Sequence, residues 1–113
     1  MDAKFGQAQV IDVARMVREN TEKWINFNLT EVNDCIVRLG IFEGEFHWHK
    51  HEAEDELFFV LEGALLLDLE TGTLELLPQQ GYTVPRRVLH RTRALEKTVV
   101  LMVERNTVNP KGD

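Results

Sequence analysis

Apolar positions change their period along this chain, and the change separates one helix from a long run of strands. Between Gln9 and Asn20, Val10, Val13, Ala14 and Val17 recur at helical spacing, with Asp12, Arg15, Arg18 and Glu19 mostly elsewhere on the wheel. One short helix is predicted over about 9–20. The period then falls to two. Ile25, Phe27 and Leu29 alternate with Asn26, Asn28 and Thr30, which predicts a half-buried strand ending at the turn pair Asn33-Asp34. Cys35 to Phe42 reads as a second strand, and Glu43-Gly44 turns it into a strand carrying the histidines of 46–51. Further strands are predicted over 55–62, 64–69, 73–77, 82–84, 89–94 and 98–104. Gly63, Thr71-Gly72, Pro78 to Gly81 and Leu95 to Lys97 separate them. Many short strands after one helix indicate an all-β sandwich or barrel spanning about 24–104. The remaining 105–113 reads as a polar, loosely held tail.

Two of these strands are apolar on both faces. Leu57, Phe59 and Leu61 lie opposite Phe58 and Val60, and Val99, Leu101 and Val103 lie opposite Val100 and Met102. An antiparallel sheet with one wet face should alternate apolar and polar. A single narrow helix covers part of the second face, so the pattern predicts a homodimer that hides the rest.

Composition narrows the setting. At 113 residues the chain is expected to form one domain, with 43% hydrophobic and 28% charged residues, as in ordinary globular proteins. A net charge of -6 argues against nucleic acid and anionic membrane as partners. The lone Cys35, a polar segment from Met1 to Gln9 and the lack of a long apolar run make the cytoplasm the expected location.

The chemistry is concentrated in Phe46-His47-Trp48-His49-Lys50-His51, followed by Glu56 and Gly63 and answered downstream by His90. In a strand alternate side chains share a face, so His47, His49 and His51 would project together. Imidazoles and a carboxylate on one face suggest a bound divalent metal. Trp48 and Lys50 would point the other way. Arg86, Arg87, Arg91 and Arg93 read as a solvated face or as partners for carboxylates across a dimer, and Glu52, Glu54, Asp55 and Glu62 as surface charge. Trp24 and Phe27 are expected outside the barrel or at its mouth.

His49-x-His51, four residues, Glu56, six residues and Gly63 resemble the first motif of the cupin superfamily. Pro85-Arg86-Arg87-Val88-Leu89-His90 approximates the second, and Asp55 to Gly63 is similar to small single-domain cupins of the conserved-barrel type. The similarity covers roughly Cys35 to Glu104. It implies a double-stranded β-helix (jelly-roll) barrel with one divalent transition metal held by His49, His51, Glu56 and His90. Pairing His47 with His49 instead would place Glu54 at the carboxylate position with no glycine to close the motif, so His47 is expected behind the ligands or lining the pocket. Three imidazoles and one carboxylate leave open coordination positions and suit iron, manganese, nickel, zinc, copper or cobalt rather than calcium.

Two positions depart from the motif. Arg87 replaces the glycine after proline, so the turn must change geometry or accept strain, and Ala94 replaces a frequent asparagine. The implied functions are a metal-dependent enzyme, dioxygenase- or isomerase-like, acting on a small organic acid or sugar, or a non-catalytic small-molecule binding or sensor module. A scaffold without chemistry is the third class.

Overall fold

The computed structural model describes residues 2–113. Its one helix, α1, spans Val13–Glu19, and seven strands follow: β1 (Trp24–Val32), β2 (Cys35–Glu45), β3 (Glu56–Glu62), β4 (Leu65–Leu69), β5 (Gly72–Leu76), β6 (Gly81–Val84) and β7 (His90–Arg105). The strands pair antiparallel in the order β1-β2-β7-β3-β6, with β4 joining β5 to the first half of β7. The fold is an all-β jelly roll with one short N-terminal helix.

β7 organises the barrel. Its second half lies between β2 and β3, so three inward rows cross the sheet: Ile36–Glu104–Glu56, Arg38–Met102–Phe58 and Gly40–Val100–Val60. Phe58, Val60, Val100 and Met102 from these rows, with Phe42, Leu65, Leu67 and Val84, form the interior core. Each such side chain contributes roughly 1.5–3 kcal/mol when fully buried. Gly40 has a specific reason to lack a side chain, because a Cβ there would overlap the Phe42 ring.

The outer face carries a second cluster, in which Leu29, Leu39, Ile41 and Val99 are covered by Phe5, Val13, Met16 and Val17. The cover is broader than the helical stripe suggested. Lys4 and Phe5 donate their backbone N–H groups to the carbonyls of Asn28 and Leu29 at 2.8 Å, which lays the N-terminal segment along β1 and adds Phe5 to the cover. Val99, expected to need a partner chain, is 2% exposed. Leu57, Phe59, Leu101 and Val103 remain half-buried, and Leu61 is exposed.

Four readings of the sequence are corrected. The helix begins at Val13, not near Gln9, because Asp12 caps it: the Asp12 side chain accepts from the Arg15 N–H at 3.0 Å while its own backbone is non-helical. Val10 and Ile11 therefore lie outside the helix and exposed. The strands predicted over 89–94 and 98–104 are one strand. Thr98 pairs with Phe42 and Ala94 with Gly44, so Leu95 to Lys97 bulge outward opposite Glu43 without ending the ladder. The histidine segment is not a regular strand; it meets β7 through the bridge between His49 and His90 and through the Phe46 N–H, which donates to the Thr92 carbonyl at 2.9 Å.

The tail is the fourth correction. Residues 106–113 fold back over the histidine segment instead of hanging free. Val108 is buried, the Asn106 N–H donates to the Asp34 carbonyl and the Asp113 N–H donates to the Lys50 carbonyl. Polar composition gave no sign of these bonds, since backbone groups make most of them.

Candidate metal centre

The site is built where the histidine segment crosses β7. His49 and His90 exchange both backbone hydrogen bonds at 2.9 Å, which sets their imidazoles side by side with ring centres 4.3 Å apart. The Arg87 N–H donates to the His51 carbonyl at 2.7 Å and holds the segment on its other side. Glu56 opens β3 directly opposite Glu104, pointing into the same end of the barrel. His49, His51, Glu56 and His90 each offer one ligand atom, and these atoms all lie within 4.8 Å of one another. The structure brings together the four residues named from the sequence.

The hydrogen bonds around the rings aim them. A carbonyl can only accept, so the 2.9 Å contact to the Val88 carbonyl places the proton of His90 on Nδ1 and frees Nε2. The His47 carbonyl does the same for His49 Nδ1 at 3.0 Å. His51 Nε2 and His90 Nε2 each stand 3.4 Å from Glu56 Oε1, yet none of these three buried atoms has a hydrogen-bond partner among the described residues. A buried polar group left unpaired costs about 1–3 kcal/mol. Several converging on one point are the expected state of a donor set that a cation completes, and the oxygen and nitrogen donors suit a first-row divalent metal.

Electrostatics agree. Burial drives His49 down to about 4, so it is a neutral donor at neutral pH. Burial alone would raise the Glu56 carboxyl, but the adjacent His51, His90 and Glu104 side chains outweigh it and keep Glu56 ionised. Burial, then the charge of Glu56, push Glu104 up to about 8, even though Arg38 Nη1 lies 2.9 Å from Glu104 Oε1.

His47 stands apart. Its Nε2 is bonded to the Lys111 carbonyl at 2.7 Å and its side chain is exposed, so it fastens the tail beside the site. Strand parity pointed it along with His49, and its ring centre does lie 5.4 Å from that of His49, but its Nε2 is spent on the tail. The tail completes the mouth: Pro110 lines the cavity next to His49 and Glu56, and a Cβ on Gly112 would come within 2.6 Å of His49 Cβ.

Arg87 takes the strained option, with φ of +70° where the resembled motif carries glycine. His90 still reaches the cluster. Positive φ costs an L-residue about 1–2 kcal/mol, so Arg87→Gly is expected to leave metal binding unchanged and shift stability by no more than about 1 kcal/mol, because glycine's freer unfolded chain offsets most of the relief. Thermal melting with and without metal checks this. Gly63 follows the carboxylate strand with φ of +83°, and a Cβ there would meet the Lys97 carbonyl at 2.6 Å.

Three charged groups behave differently from their reading in the sequence. Glu54 is buried and accepts from the Thr107 hydroxyl at 2.9 Å, so it anchors the tail and is not surface charge. Arg91 and Arg93 are satisfied within the chain by the buried Asp68, at 2.9 and 2.7 Å, and need no partner carboxylate. Arg38 and Glu104, unremarked in the sequence, form a buried pair next to Glu56. Their signal was present as single charges inside the otherwise apolar runs Ile36 to Phe42 and Val99 to Val103 with its flanking Glu104.

Comparison with known proteins bears directly on the motif. Residues 36–104 match the family model described as "Cupin domain". An uncharacterized protein of Bacillus subtilis (strain 168), YdbB, is 46% identical over 90 residues, covering 79% of this chain and 80% of that protein. The crystal structure of a cupin-2 domain containing protein from Shewanella frigidimarina superposes with a TM-score of 0.81 at 30% identity, covering 86% of this chain and 95% of that one. KdgF from Halomonas sp. has the same fold, with a TM-score of 0.69 at 20% identity over 86% of this chain and 94% of its own. With the jelly roll, the His-x-His segment and the family match all falling on the same residues, this chain belongs to the cupin domain family.

Proposed function

We propose that the protein binds one divalent transition metal through His49, His51, Glu56 and His90 and uses it to hold and polarise a small organic ligand. The observation that carries this reading is the convergence of unpaired buried donors on one point. Bound there, the metal would act as a Lewis acid and a template for an oxygen-bearing ligand. A dioxygenase- or isomerase-like reaction on a small acid or sugar fits the open positions that four protein ligands leave. Among the described residues no helix is long and apolar enough to cross a membrane.

A non-catalytic binding module is the second reading, favoured by the tail lying across the mouth and the tightness of the cavity beneath it. Iron-loaded protein separates the two: oxygen uptake or turnover of a small acid or sugar supports an enzyme, while tight binding without product supports the module.

The protein acts as a homodimer in this proposal. Leu57 pairs with Val103 and Phe59 with Leu101 across the outer face, and these four side chains remain only half-covered. A partner copy laid on them would bury a continuous apolar patch. Sedimentation at micromolar concentration should give about twice the chain mass; a monodisperse monomer would remove this part of the proposal.

A further inference from the structure

Arg38 occupies an unusual place for a guanidinium. It is 4% exposed on the inner face of β2, and it lines the cavity that His49 and Glu56 also line. Its Nη1 contacts Glu104 at 2.9 Å and its Nε donates to Asn28 Oδ1 at 3.2 Å, while nothing among the described residues accepts from Nη2. A second donor in the same cavity is equally unspent: Trp24 Nε1 is buried without a partner, with its ring stacked on Phe42 at 4.1 Å between centres.

Charge decides what this cavity accepts. With the metal of the preceding proposal in place, the interior holds two positive charges from the metal and one from Arg38. Against these stand Glu56 and Glu104. One positive charge stays unbalanced with both carboxylates ionised. A net charge buried beside an aromatic wall is costly unless a counter-charge joins it. A neutral sugar supplies none.

We infer that the cavity takes a compact organic acid, with one oxygen-bearing end on the metal and a carboxylate at the other end read by Arg38. The planar guanidinium fork suits a carboxylate, and Nη2 is the free prong. Trp24, on the lining of the same cavity, keeps an unspent N–H, and Trp24, Phe42 and Phe46 form an apolar side against the carbon skeleton. This inference rests on the metal reading above and selects acid over sugar as the ligand class.

Succinate and its near-isosteric monoamide, succinamate, separate the effect of the second carboxylate from that of size. Each is titrated into cobalt-loaded protein, with the cobalt visible absorption as readout. Wild type is expected to bind succinate at least tenfold more tightly. In Arg38→Lys, which keeps the charge beside Glu104 but loses the fork, the preference should fall several-fold. In the double variant Arg38→Met with Glu104→Gln, which removes both members of the pair, it should fall to within about twofold, with cobalt stoichiometry and melting temperature reporting that the protein is folded and loaded. Equal affinity for the two probes in wild type, or a preference that survives in whichever variants fold, overturns the inference while leaving the metal site standing. Failure of wild type to take up cobalt overturns both.

Discussion

Glu56→Ala protein should emerge from purification without metal, whereas His47→Ala should keep it. Glu56 is the one ionised carboxylate among the four converging groups, and both His51 Nε2 and His90 Nε2 face its Oε1 at 3.4 Å. Removing it takes away a bond and the counter-charge together. Loss of a supporting residue typically lowers affinity about 10–100-fold, and loss of the charged ligand should exceed that, so the variant should hold less than about a hundredth of the wild-type metal at limiting concentration. His49→Ala should behave in the same way. His47 is tied to the Lys111 carbonyl, so its loss should loosen the tail and speed metal exchange while leaving the stoichiometry unchanged. Metal analysis of these three variants and of His51→Ala after identical dialysis checks the contrast. If His47→Ala empties the site while His51→Ala does not, the ligand register is displaced by two residues.

The second large effect is on stability. A metal that binds only the folded chain adds about 4 kcal/mol when its concentration is a thousand times its dissociation constant. A kilocalorie per mole moves the melting temperature of a domain near this size by roughly 4 °C or more, so loading should raise it by roughly 15 °C, and chelation should reverse the change. The pH dependence has a definite sign. His49 titrates at 6.5 when unfolded and at about 4 when folded. Between those values the unfolded chain binds a proton that the folded chain refuses, so this contribution to stability is complete above 6.5 and is lost as pH falls toward 4. Metal release runs in the same direction, because only neutral imidazole is a ligand. Melting curves from pH 7.5 down to 4.5, with metal and with chelator, test both. A melting temperature indifferent to metal would argue against a site formed only in the folded chain.

The first half of the site was legible because its information is local. His49, His51, Glu56 and Gly63 stand at fixed short spacings, and Gly63 is where a positive φ and a close backbone contact exclude a side chain. His90 was legible only through resemblance, since Arg87 obscures its motif. Spacing to Glu56 and Gly63, not parity, singled out His49 and His51. Parity put all three histidines on one side, and their rings do follow one another at 5.4 and 5.1 Å although 46–51 is not a regular strand. The structure instead aims the rings through the His47 and Val88 carbonyls, which no side-chain pattern encodes. The helix start was misread because Val10 falls at helical spacing with Val13, Ala14 and Val17, and only the cap at Asp12 shows that Val10 lies outside. Arg38 and Glu104 were missed for the opposite reason: each looks incidental alone, and their meaning appears when β2 and β7 lie side by side.

Elemental analysis of untagged protein prepared without chelator tests the central claim most directly. Close to one equivalent of a transition metal per chain is expected. Protein that carries none, and takes up no iron, nickel, zinc or manganese near neutral pH, would contradict it.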